Sequence, residues 1–291
     1  MTNPTQSRTH GTTHTTHIPT KEASMRHTRT RSTALAAVLL ALATTALTAT
    51  TDTAHAATTV NYVALGDSYS AGGGSATTYL NSCNQSTNAY PYLYAQATQP
   101  ASFSFQACGG ATTTDVIDNQ LTPLDSSTTL VSMTVGGDNV GLANVLSSCL
   151  LGSDATCQSA VATAENTART QLPGQLDAVY GDIRARAANA HVVVLGYPQF
   201  YDLDTALCLG ASATKRAALN EGAAVLDGVI QGEVAKYSNF VYEDAISRFT
   251  GHQLCDADPW LHALNWPIGQ SFHPTAAGQS GAYLPALEAG A

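Results

Sequence analysis

Charge is what this chain has least of: Asp, Glu, Lys and Arg together make up 11% of its 291 residues. Ordinary soluble domains carry about a quarter, so a charge-laced coiled coil is excluded. With 44% hydrophobic residues, a chain too polar to fold is excluded as well. Basic residues are scarcest beyond the N-terminal region. Five of the twelve Lys and Arg (Arg8, Lys21, Arg26, Arg29, Arg31) precede residue 57, against Glu22 and Asp52 of the acids. The 7 basic and 19 acidic residues that follow carry a net charge of −12. Such a surface repels phosphate backbones and anionic headgroups, which argues against nucleic acid as a partner. There is no Cys-x-x-Cys pair, and the four histidines beyond residue 57 (His191, His252, His262, His273) lack zinc-ligand spacing, so no metal is expected. No stretch approaches 18 uninterrupted apolar residues, so no stable membrane insertion is expected. No internal repeat and no Pro- or Ser-rich linker divides the chain.

What is present begins with an export signal. Arg26, Arg29 and Arg31 form a basic region, Ala34 to Leu47 an apolar one, and Ala54-His55-Ala56 offers small residues where a signal peptidase reads. Residues 1–56 therefore read as a leader cleaved after Ala56, with Met25 as the expected true start, and residues 57–291 as one secreted catalytic domain. All six cysteines (Cys83, Cys108, Cys149, Cys157, Cys208, Cys255) fall in the exported part, where an even count reads as disulfides. Sequential pairing closes the smallest loops.

The mature part alternates short β-rich runs with Ala-rich stretches, the pattern of a parallel sheet covered by helices. Strands are expected at Val60–Leu65, Phe103–Ala107, Leu130–Val135, Val192–Leu195 and Phe240–Tyr242. Helices are expected at Ser159–Ala188, broken or kinked by Pro173, at Ala211–Lys236, and at Ala276–Leu287, interrupted by Pro285. Polar, Gly-rich clusters at 66–74, 109–114 and 136–141 each follow a strand directly. In open parallel sheets, ligands bind beyond the carboxyl ends of the strands, so the three clusters should converge on one rim.

The first cluster, Gly66-Asp67-Ser68-Tyr69-Ser70, places Ser68 where strand gives way to helix. A serine hydroxyl needs an adjacent base to become a nucleophile, although a serine there is equally a helix cap. Among the histidines, His273 stands at a loop-to-helix junction, Ser271-Phe272-His273-Pro274-Thr275, free to reach across the rim. Donors for an oxyanion are sought in the backbone N–H groups of Ser68 and Gly110 and in the amide of Asn139. Ordinary turn chemistry and helix capping explain each of these taken singly.

These blocks in this order resemble GDSL/SGNH hydrolases. Gly66 to Ser70 looks like the family's first block, Gly110 its glycine block, Gly136 to Asn139 its asparagine block, and His273-Pro274-Thr275-Ala276-Ala277-Gly278 its histidine block. The resemblance spans residues 60 to 287, and the cysteines are similar to those of secreted actinobacterial (Streptomyces-type) lipases and esterases, which implies three sequential disulfides. It also implies a flavodoxin-like three-layer α/β/α sandwich with a five-stranded parallel sheet, and an acyl-enzyme mechanism on Ser68 with His273 as base. No cofactor is implied.

Two departures stand out. The third block of the family usually reads Gly-x-Asn-Asp, whereas here Asp138 precedes Asn139. An ionised carboxylate has no donor and would repel an oxyanion, so Asn139 is the expected side-chain donor. The family often places Asp three residues before the His, where this chain has Gln270. The backbone carbonyl of Ser271 is then the expected orienting group, with Asp256 or Asp258 as alternatives lacking the family spacing. Trp260, Leu261, Leu264, Trp266, Pro267 and Ile268 could line an acyl pocket or pack as core. The expected substrate is a small or lipid ester of medium chain length, taken by a monomer. Polysaccharide O-deacetylation and phospholipase A-type cleavage are the alternatives, and a non-catalytic binding protein is a more distant one.

Overall fold

The computed structural model describes residues 59–205, 208 and 210–291. The leader expected at 1–56, its cleavage after Ala56 and the start at Met25 lie outside the described residues. The sheet comprises β1 (Asn61–Ala64), β2 (Ser102–Phe105), β3 (Leu130–Met133), β4 (His191–Leu195) and β5 (Phe240–Glu243), all parallel, in the order β2-β1-β3-β4-β5. The burial pattern follows from that order. The central strand β3 is buried at every position, whereas the edge strands β2 and β5 are only partly covered. Val192, Val193, Val194 and Leu195 lie between covered faces, which explains their uninterrupted apolar run.

The chain leaves β1 toward β2 in one direction and afterwards advances through β3, β4 and β5 in the other. Because crossovers are right-handed, this reversal distributes the helices over both faces of the sheet. Helix α2 (Tyr90–Thr98) packs with the last helix, α10 (Leu284–Gly290), and α5 (Asp154–Thr170), α6 (Leu172–Arg186) and α7 (Ala213–Val234) pack together as a second group. The point of reversal, between β1 and β3, is where open α/β sheets bind ligands. The expected three-layer fold is the fold of the chain.

Proline acts as a starter rather than a breaker here. Pro173 and Pro285 both occupy first turns, of α6 and α10, where the missing N–H costs no helical hydrogen bond. The expected helix over Ala276–Leu287 is a short α9 (Ala276–Gly278), a π-turn (Gln279–Tyr283) and α10. Four further helices had no counterpart in the sequence reading: α2, α3 (Thr113–Asn119), α4 (Leu142–Leu151) and α8 (Ala245–Phe249). The disulfides are Cys83–Cys108, Cys149–Cys157 and Cys208–Cys255, the sequential set. The second ties α4 to α5. The first holds the 108–110 turn, whose Gly109 N–H also donates to the Cys83 carbonyl. No helix among the described residues is long and apolar enough to cross a membrane.

Candidate active site

Ser68 opens the four-residue helix α1 (Ser68–Ala71) immediately beyond β1. The turn before it requires Gly66, whose φ of +117° is closed to most side chains and whose Cβ would collide with the Thr134 carbonyl. Asp67 caps α1 and is fully withdrawn from water. Its Oδ1 accepts from the Tyr69 N–H at 3.0 Å and the Thr134 hydroxyl at 2.6 Å, and its Oδ2 accepts from the Tyr197 hydroxyl. The Tyr197 hydroxyl in turn accepts from the Gly137 N–H at 3.0 Å. One carboxylate thus links the ends of β1, β3 and β4. The network held by Asp67 was absent from the sequence reading, because its side-chain partners Thr134 and Tyr197 are far away in sequence.

Tyr197 is also held from below, where its N–H donates to Asp227 Oδ1 on α7 at 2.8 Å. Burial pushes the Asp227 carboxyl up to about 7. Its folded-state pKa exceeds the unfolded value, so its contribution favours the fold below about pH 4 and is lost as pH rises through 7. Asp227→Asn keeps the acceptor and removes the charge. It is expected to raise the melting temperature near pH 8 by a few degrees (about 1–3 kcal/mol) and to change it little near pH 4, as calorimetry at the two pH values would show.

His273 comes from the far end of the chain, in the loop before α9. Its Nε2 lies 2.7 Å from Ser68 Oγ and its Nδ1 3.2 Å from the Ser271 carbonyl. Two contacts aim it. Phe272, buried and left-handed at φ +64°, has its carbonyl bound by the Tyr69 hydroxyl at 2.8 Å. Beneath the ring, Gly73 and Gly74 leave space that a Cβ would take, at 3.1 Å from His273 Cδ2 and 2.7 Å from its Cβ respectively. Burial pulls the imidazole down to about 4, against a smaller upward effect of the Ser271 carbonyl. Above that pH the ring is neutral. With Nδ1–H donating to Ser271, Nε2 is free to accept the Ser68 proton.

The other titratable candidates are engaged elsewhere. His252 Nδ1 meets the Asp258 carbonyl, Asp256 accepts from the Gln253 N–H, and His262 Nε2 meets the Gly74 carbonyl. His191 pairs with the Gly290 carbonyl. Gln270 bonds to Ala76 and Asn265.

The two candidate backbone donors differ in setting. Ser68 borders the cavity that His273 also lines, whereas Gly110 borders a separate depression with Cys83, Gln85 and Asp115. The N–H groups of both lack an acceptor among the described residues. The amide of Asn139, expected as the side-chain donor, is engaged with other side chains. Its two N–H bonds go to Thr113 Oγ1 at 2.8 Å and Gln175 Oε1 at 3.0 Å, while its Oδ1 accepts from the Thr113 N–H at 3.0 Å. The amide is spent tying α3 to α6. Asp138 lines the same cavity as Ser68 and His273. The reason is local: after Gly136, at φ +124°, and Gly137, the chain turns so that consecutive side chains face different ways.

The cavity that Ser68 and His273 line holds about 320 Å³ and is walled by Leu142, Leu146, Leu150, Leu264, Ile268 and Phe272. The first three are one face of α4, at i, i+4 and i+8. That spacing was legible in the sequence, but the sequence reading assigned no element to the stretch beyond residue 141. Of the stretch before His273, Leu264 and Ile268 reach the cavity. Leu261 is core, Trp260 stacks on His252 with ring centroids 3.5 Å apart, and Trp266 is 85% exposed.

Comparison with known proteins is decisive at this point. The model of the GDSL-like lipase/acylhydrolase family matches residues 64–280, most of the chain. The chain belongs to that family. Lipase 1 of Streptomyces coelicolor is 48% identical over 258 residues, 87% of this chain and 95% of that protein. The lipase of Streptomyces rimosus is 42% identical over 265 residues, 90% and 98% respectively. The crystal structure of phospholipase A1 from Streptomyces albidoflavus NA297 superposes with a TM-score of 0.78 at 47% identity, covering 80% of this chain and all of that one. As a family member the protein is a carboxylic ester hydrolase, and the cavity beside Ser68 is its candidate acyl site.

Proposed function

We propose that the protein is an exported, monomeric serine lipase whose nucleophile is Ser68 and whose general base is His273. The observation that carries this reading is the 2.7 Å contact between Ser68 Oγ and His273 Nε2 at the wall of an apolar cavity. As Ser68 Oγ attacks the ester carbonyl, its proton passes to His273 Nε2, and the carbonyl oxygen becomes an oxyanion near the N–H groups of Ser68 and Gly110. The imidazolium is stabilised by the Ser271 carbonyl at Nδ1. It then protonates the leaving alcohol, and water repeats the sequence to release the acid. Export accords with the Arg-then-apolar N-terminus and with the extracellular character of the similar lipase from Streptomyces rimosus.

The leucines of α4 favour an alkyl chain over an acetylated sugar, so lipid esters rank above a polysaccharide. Phospholipids are a second substrate reading, favoured by the likeness to the phospholipase A1. A panel of p-nitrophenyl esters from two to eighteen carbons, run beside mixed micelles of phosphatidylcholine, tests both. Turnover is expected to peak at medium chains, and acetyl esters that outran them would defeat the lipase reading. Leu146→Trp fills the cavity from α4. It is expected to lower kcat/KM for chains of eight carbons or more by roughly 10–100-fold while sparing acetyl and propionyl esters.

A further inference from the structure

We propose that Asp138 is a catalytic residue of this esterase, its neutral carboxyl donating an O–H hydrogen bond to the oxyanion. The inference rests on the serine-esterase reading above and assigns the side-chain donor that Asn139 does not supply.

Asp138 lines the cavity together with Ser68, Gly137, Tyr197 and His273. No hydrogen-bond donor and no cation engages its carboxyl among the described residues. The groups that face it are acids, phenols and a neutral ring. Asp67 and Tyr69 come from the β1–α1 turn, Tyr197 from the segment after β4, Asp115 from α3, and His273 from the C-terminal loop. No Lys or Arg is among them. A carboxyl left without donors in an apolar wall beside other acids keeps its proton to a higher pH than a solvated one.

Its neighbour decides where that proton sits. Asp67 and Asp138 repel one another, and burial raises both. Such a pair holds its protons jointly. Asp67 receives three donors, from Tyr69, Thr134 and Tyr197, all of which suit an anion. Asp138 receives none. The shared proton therefore belongs on Asp138, and a protonated carboxyl has the O–H that an ionised one lacks. In acylation, the Ser68 Oγ–carbon bond forms, the serine proton goes to His273 Nε2, and the carbonyl π pair moves onto oxygen. The Asp138 proton is shared with that oxygen and stays on Asp138 throughout, so nothing is consumed.

Turnover then needs His273 neutral and Asp138 protonated, a window that opens above about 4 and closes where Asp138, raised above the usual carboxylate range, loses its proton. The activity of the wild-type protein should rise through the His273 titration and fall again as Asp138 loses its proton. A serine hydrolase with an amide donor would instead stay on its plateau. The test is the pH profile of kcat/KM on a soluble medium-chain ester for the wild type, Asp138→Asn and Asp138→Ala, with fluorophosphonate labelling of Ser68 alongside. Asp138→Asn should match the wild type within a few-fold near pH 5 and exceed it at least about tenfold near pH 8. Asp138→Ala should lose about 10²-fold in kcat near pH 5 with KM little changed. A wild-type plateau reaching pH 8, or an Asp138→Asn profile with the same alkaline limb as the wild type, overturns the inference. Labelling of Ser68 in either case leaves the serine-esterase reading standing, whereas absence of labelling near pH 5 removes both.

Discussion

Ser68→Ala is expected to lower ester turnover by about 10⁴-fold or more while leaving the melting temperature near that of the wild type. The hydroxyl touches His273 and the cavity, and the small helix it opens is capped by Asp67, not by Ser68. Removing it therefore deletes the nucleophile and almost nothing structural. His273→Ala should lose as much, because the serine is a weak nucleophile without its base. The double variant should be scarcely worse than either single one, since the two act as a unit. Additive losses in that cycle would mean that serine and histidine work separately, and the mechanism above would fail. Turnover of a p-nitrophenyl ester by purified Ser68→Ala would dispose of the nucleophile assignment directly.

Gly66→Ala is expected to do the reverse, damaging the fold first and activity through it. At φ +117° an L side chain is strained, and the added Cβ meets the backbone carbonyl of Thr134, which cannot move without losing the Asp67 N–H that it accepts. The Gly66 N–H and carbonyl are also both held by the Gln120 side chain, at 2.7 and 2.9 Å. Because the Thr134 carbonyl is held by the Asp67 N–H at 3.0 Å and Gly66 by Gln120, the substitution should cost about 3 kcal/mol or more. That corresponds to a fall in melting temperature of roughly 6–12 °C. A melting curve within 2 °C or so of the wild type would show that the turn is looser than its contacts imply.

The strands were readable because central parallel strands are covered on both faces and so must be apolar throughout, as Val192 to Leu195 are. Their ends were placed one or two residues too far, since Leu65 and Val135 are buried by the turns that follow and carry no sheet pairing. The long helices α5, α6 and α7 were readable from composition. Helix α4 was not, although Leu142, Leu146 and Leu150 repeat at four residues. Its start at Gly141, a left-handed residue with no side-chain cap, gives none of the usual opening signals. The acyl wall was missed with it.

Residue chemistry alone narrowed the site to one serine, one histidine and three post-strand clusters, because few side chains can serve as nucleophile or base and their blocks stand in a recognisable order. Packing was needed to choose between Asp138 and Asn139. Neighbouring residues in a turn differ in direction by their backbone angles, and those angles are set by Gly136, by Gly137 against Tyr197, and by the amide contacts to Thr113 and Gln175. Linear spacing carries no trace of such distant partners, so the identity of the group facing the reacting carbonyl became visible only once the chain had folded around it.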